Sequence, residues 1–185
     1  MSYHTLIHLS RSAALACALL LTSGCAMWHR APDTAELGNL MVKRLGWMDE
    51  VARVKQAKHQ PILDPAREAV VLHSMEQQGA AAGLPAPAVH DFFAAQMEAA
   101  RLRQAEWLKA HPHLIHMAAP LDLSKTARPA LDEIGKDMIR ALSRARTLPD
   151  ISPVITDAQQ RLAAAGYSKA VSAAALRGLE KGLKP

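Results

Sequence analysis

The chain has 185 residues, half of them apolar and 4% aromatic, with 22 Lys and Arg against 17 Asp and Glu for a formal charge of +5. That length suits one domain with a substantial core, and an alanine-rich, aromatic-poor composition suits closely packed helices. The basic residues form no stripe with interleaved aromatics, which argues against nucleic acid as a partner; they read as solvated helix faces, with steering of a small polyanion as the functional alternative.

The N-terminus has the form of a targeting segment. A short polar start with Arg11 precedes the apolar run Ala13 to Leu21, too short for a stable transmembrane anchor. Residues 1–25 are therefore expected to be a signal peptide, with the folded domain over 33–185. Two readings of the junction stand side by side. Leu21-Thr22-Ser23-Gly24-Cys25 is similar to a lipobox in which Cys25 is lipidated, giving a membrane-tethered protein; cleavage after Ala26 gives a soluble periplasmic one. Cys17 and Cys25 are the two cysteines, so the mature domain has no pair to bridge and depends on packing.

No useful strand-like alternation is visible, and the expected fold is all-α, a single domain of about six helices. The first spans about 34–58, with Asp33 or Thr34 as cap, and ends at His59-Gln60-Pro61. The second runs from Pro65, behind an Asp64 cap, to about Ala82 and stops at Gly83. A third, from near Pro87 to Lys109, carries Val89, Phe93, Gln96, Ala100, Gln104 and Trp107 on one face, two amides in an otherwise apolar row. A fourth is expected from near Pro129 to about Thr147, a fifth up to Gly166, and a sixth from a Ser168 cap to Leu183. His59, His73, His90, His111, His113 and His116 lack acidic or cysteine partners at metal-ligand spacing and read as ordinary polar positions. No serine sits in a nucleophile elbow, and there is no glycine-rich phosphate loop.

The chemistry concentrates between Arg44 and Glu68. Arg44 and Lys55 are eleven residues apart, which at 100° per residue returns the second cation to within roughly 20° of the first, about 16 Å along the axis. Both continue the apolar row Leu37, Leu40, Met41, Met48, Val51 and Ala52, so they point where a helix places its core. Arg67 and Glu68 emerge at the start of the next helix. Taken singly, Arg44 and Lys55 read as snorkelling cations at a core edge, Asp64 as an N-cap and Glu68 as a carboxylate favoured by the helix dipole. Taken together, they describe a pocket built for an anion.

The spacing R-x10-K-x8-D-x2-R-E, followed by a helix with Gln96, Ala100 and Gln104, resembles the helical AroQ-type chorismate mutases, in particular their exported gamma subclass, over about 36–107 and more loosely to the C-terminus. The resemblance implies conversion of chorismate to prephenate by a pericyclic Claisen rearrangement, which needs no metal or organic cofactor. It implies that Arg44, Arg67 and a later arginine grip the two carboxylates, that Lys55 and Gln104 donate to the ether oxygen, and that Glu68, with the backbone near Asp64, receives the ring hydroxyl. It also implies a pocket within one chain, completed by an arginine of the later half. Arg128 is the best match, with Lys125 and Arg140 as alternatives. Two departures are visible: Ala100 stands where family members often have Ser or Thr, and the C-terminal half cannot form the disulfide some gamma enzymes carry. The family often forms homodimers. Rival readings are an isochorismate-pyruvate lyase on the same scaffold and a non-catalytic helical envelope lipoprotein.

Overall fold

A computed structural model of the chain describes residues 34–112 and 122–184; the proposed leader 1–25 with Cys25, and His113 and His116, lie outside the described residues. Every regular element among the described residues is helical: α1 (Glu36–Gly46), α2 (Met48–Ala57), α3 (Pro65–Ala81), α4 (Ala86–Ala110), α5 (Ala127–Ala145), α6 (Ser152–Ala164) and α7 (Lys169–Leu183). The fold is all-α, as expected.

The expected first helix divides at Trp47 into α1 and α2, and the remaining five correspond to α3 through α7. Trp47 keeps right-handed helical angles (φ −74°, ψ −16°), but its amide donates to Arg44 O at 3.3 Å, three residues back. The interruption is thus a tightened turn. α2 begins at once, with Val51 N donating to Trp47 O at 3.0 Å.

Three helices end in the same way. Leu84 N donates to Gly79 O and Gly83 N to Ala80 O after α3, and Tyr167 N donates to Leu162 O and Gly166 N to Ala163 O after α6. These paired bonds close the last turn around a residue in the left-handed region, Gly83 at φ 74° and Gly166 at φ 76°. After α2 the same pair joins Gln60 N to Lys55 O and His59 N to Gln56 O, with His59 at φ 53° in the glycine position. Asp64 then caps α3 by accepting from Arg67 N at 3.0 Å, and Pro65 fills a first-turn position that has no amide to satisfy.

α4 is the central element, packed against α7, α2 and α3. It buries Val89, Phe92, Phe93, Met97, Ala99, Ala100 and Trp107, together with the amides Gln96 and Gln104. α7 approaches closely because Gly178 faces Phe92 and Ala95: a Cβ there would sit 2.6 Å from Ala95 Cβ and 2.9 Å from the Phe92 carbonyl oxygen. Gln96 ties the same pair of helices, donating to Ala175 O at 3.1 Å. α1 packs on α6 and α5 through Leu37, Met41 and Leu45. With α4 and α7 locked together, α2, α3 and the start of α5 enclose the other side of α4, and the cleft lies there.

Candidate active site

The cleft holds about 900 Å³ of empty space, counting its open mouth, and its wall includes Arg44, Lys55, Asp64, Arg67, Glu68, Gln104 and Arg128. All seven side chains that the sequence singled out in the folded domain thus meet in one cavity. α1 supplies Arg44, α2 Lys55, the turn after α2 Asp64, α3 Arg67 and Glu68, α4 Gln104, and the first turn of α5 Arg128. The tightened turn at Trp47 leaves Arg44 and Lys55 facing the same space. α5 begins two residues before Pro129, so Arg128 belongs to the helix and not to the preceding loop; a proline at the third helical position costs no bond, because that amide has no intrahelical acceptor. The alternatives do not line the cleft: Lys125 is 82% exposed beside Asp122, and Arg140 pairs with Asp137.

Arg44 is only 7% exposed, and its Nε has no hydrogen-bond partner among the described residues. Burial pushes its pKa down to about 10, opposed by the charge of Asp132. The guanidinium therefore remains a cation at neutral pH. Lys55 donates from Nζ to the Ile62 carbonyl at 2.5 Å, which ties α2 to the returning chain. Burial lowers its pKa, the carboxylates of Asp64 and Glu68 raise it, and the cation of Arg128 lowers it. Gln104, 5% exposed, donates from Nε2 to Ala100 O at 3.2 Å and to Met48 Sδ at 3.6 Å, while its Oε1 has no partner among the described residues. A thioether is a weak acceptor, so that N–H can be given to a better one. Ala100 adds only a methyl group to the wall.

Two cleft residues escaped the sequence reading. Arg101 of α4 donates from Nη1 to Glu68 Oε2 at 2.6 Å, and Asp132 of α5 accepts from Arg67 Nη2 at 3.4 Å. Both sit within a turn of residues that had been singled out, Arg101 next to Ala100 and Asp132 four positions after Arg128. Neither spacing shows which opposite charge each meets, because those partners lie 33 and 65 residues away. In all, five cationic side chains face three carboxylates in the cleft. An excess of fixed cations, a neutral buried amide and an apolar floor including Met48, Val51 and Met97 suit a compact, mostly apolar molecule that carries more than one negative charge.

Residues 34–105 match the family model of chorismate mutase type II. The chain is thus similar to this family over its first four helices. Among solved structures, a chorismate mutase from Burkholderia thailandensis is similar with a TM-score of 0.66 and 27% identity, over 80% of this chain and 98% of that one. A chorismate mutase from Burkholderia phymatum gives 0.68 and 25% over 80% and 93%. A secreted chorismate mutase from Yersinia pestis gives 0.69 over 79% and 96%, and at 19% identity it speaks for the fold alone. A comparison with curated proteins found no match. The family match covers α1 to α4 up to Ala105, the part that holds every predicted cleft residue except Arg128; the structural matches span most of the described chain.

Proposed function

We propose that this protein is a chorismate mutase, converting chorismate to prephenate. In that reaction the ether C–O bond breaks while a C–C bond forms within the same molecule, so no proton is transferred and no covalent intermediate forms. Rate enhancement must come from holding the dicarboxylate in its compact reactive conformer and from stabilising the negative charge that grows on the ether oxygen. The convergence of Arg44, Lys55, Arg67, Glu68, Gln104 and Arg128 on one cleft of a chain whose residues 34–105 match the type II model carries this reading.

Each side chain has a role that its chemistry suits. Arg44, Arg67 and Arg128 offer paired, permanently charged donors to the two carboxylates. Lys55 and Gln104 donate to the ether oxygen; the ammonium supplies charge, and the amide supplies a donor that needs no protonation. Glu68, held by Arg101 at 2.6 Å, accepts from the ring hydroxyl, with the backbone beside Asp64 assisting. A continuous absorbance assay of chorismate loss, with the product identified by NMR, tests the function. Prephenate is expected; pyruvate with isochorismate as substrate would instead identify the lyase.

We also infer that residues 1–25 direct export to the periplasm. The apolar run Ala13 to Leu21, followed by Ser23 and Gly24 before Cys25, supports this. The intact mass of the mature protein separates a lipidated Cys25 from a chain cleaved after Ala26. Sedimentation of the mature chain tests the homodimer that the resemblance implies.

A further inference from the structure

The cleft contains a carboxylate that the proposed reaction does not use. Asp132 reaches in from α5, accepts from Arg67 Nη2 at 3.4 Å and is the counter-charge felt by the buried Arg44. These are two of the three guanidinium groups assigned to the substrate's carboxylates. The contact with Arg67 lies at the outer limit of a hydrogen bond, and the Asp132 side chain is 50% exposed. It can therefore swing into solvent without burying an unpaired charge. By contrast, Glu68 is bound to Arg101 at 2.6 Å, and Asp64 is fixed as the cap of α3.

The geometry points to Asp132 as an internal stand-in for a substrate carboxylate, engaging the arginines of the cleft and giving way when the dianion binds. Two consequences follow from elementary electrostatics. A buried guanidinium with no anion nearby is costly, so the stand-in stabilises the ligand-free protein. A substrate that needs the same guanidinium groups must displace it, and its apparent affinity falls by the fraction of molecules in which the arginines are engaged. Asp132 thus sets KM without touching the reacting atoms. This inference rests on the proposed mutase reaction for its substrate, but the exchange of one carboxylate for another at Arg44 and Arg67 does not.

The test uses the mature full-length protein and its Asp132→Asn and Asp132→Glu variants. In Asp132→Asn, KM for chorismate is expected to fall by up to roughly fivefold, the most that an ion pair this long and exposed supplies, with the change carried in KM and not in kcat. Its Tm without ligand should drop, and malonate, a small dicarboxylate probe, should raise its Tm more than that of the wild type. Asp132→Glu keeps the charge on a longer arm and should hold KM at or above the wild-type value. A KM that rises or stays level in Asp132→Asn, or a malonate-induced rise in Tm no larger than in the wild type, overturns the stand-in role and leaves a structural ion pair. If the wild type fails to convert chorismate, the reaction assignment falls, and the malonate comparison still decides the exchange. If Asp132→Asn does not fold, a KM for Asp132→Glu below the wild-type value is the overturning result.

Discussion

Lys55 concentrates the demands of the cleft in a single side chain. Its pKa is lowered chiefly by burial, yet its assigned task needs the ammonium form. kcat/KM should therefore fall as pH rises through a value below the ordinary lysine range. Stability moves the other way: between the lowered pKa and the ordinary one, the unfolded chain binds this proton more than the folded chain does, so rising pH favours folding. The Tm difference between the wild type and Lys55→Met should accordingly shift in favour of the wild type across that window. Lys55→Ala and Arg67→Ala are each expected to lower kcat/KM by two orders of magnitude or more while the helical CD spectrum stays near native. Near-normal turnover in both would place the reaction elsewhere. Gln104→Glu supplies a donor only when protonated, so its rate should climb as pH falls; a flat profile would remove Gln104 from the ether oxygen. Arg44, Lys55, Asp64, Arg67, Glu68 and Gln104 could be read from the sequence because helical phase brings some of them onto one face and a cap signal marks the start of the next helix. Arg101 and Asp132 could not, since their roles depend on which opposite charge tertiary packing brings within reach.

At the scale of elements, the end of α2 departs from its counterparts. The closing motif that uses Gly83 after α3 and Gly166 after α6 uses His59 here, and a side chain at φ 53° carries a conformational cost. His59→Gly should relieve it and raise stability by about 0.5–1 kcal/mol, a few degrees in Tm, without loss of turnover if Lys55 keeps its bond to the Ile62 carbonyl. The α4–α7 contact allows a harsher test. Gly178→Val puts atoms where Ala95 and the Phe92 backbone already stand, and overpacking of this kind costs roughly 2–3 kcal/mol, a Tm loss of about 5–10 °C. An unchanged Tm would mean that α7 can move away from α4 freely. Helix positions were legible in the sequence from caps, prolines and the glycine stops. The break at Trp47 was not, because apolar phase continues through it and only the amide bond to Arg44 O records the tightened turn.

For the molecule as a whole, the cleft draws side chains from five helices and from the two turns before α3 and before α5 of one chain. Turnover per chain should therefore be independent of protein concentration, measured through any range in which the oligomeric state changes by sedimentation. A steep loss of specific activity on dilution would mean that a partner subunit supports the cleft. The formal charge of +5 and the excess of cations in the cleft both favour encounter with a dianion, so kcat/KM should decline as salt is raised from about 20 to 500 mM while kcat holds.

Local sequence was enough to set α3 to α7, the caps at Asp64 and Ser168, the stops at Gly83 and Gly166, and the set of charges around Arg44 to Glu68; the expected cap of the first helix, Asp33 or Thr34, gives way to Ala35, which makes no side-chain cap bond. What it set follows from interactions within a turn or two of the chain: backbone hydrogen bonds, proline and glycine geometry, and the 3.6-residue period. Tertiary structure decided that Arg128, and not Lys125 or Arg140, lines the cleft, that Glu68 is held by Arg101, and that Asp132 stands against Arg67. Each of these depends on how α3, α4 and α5 cross. The crossings are set by close-packed side chains distant in sequence, Gly135 of α5 against Met75 of α3 and Phe93 of α4 among them.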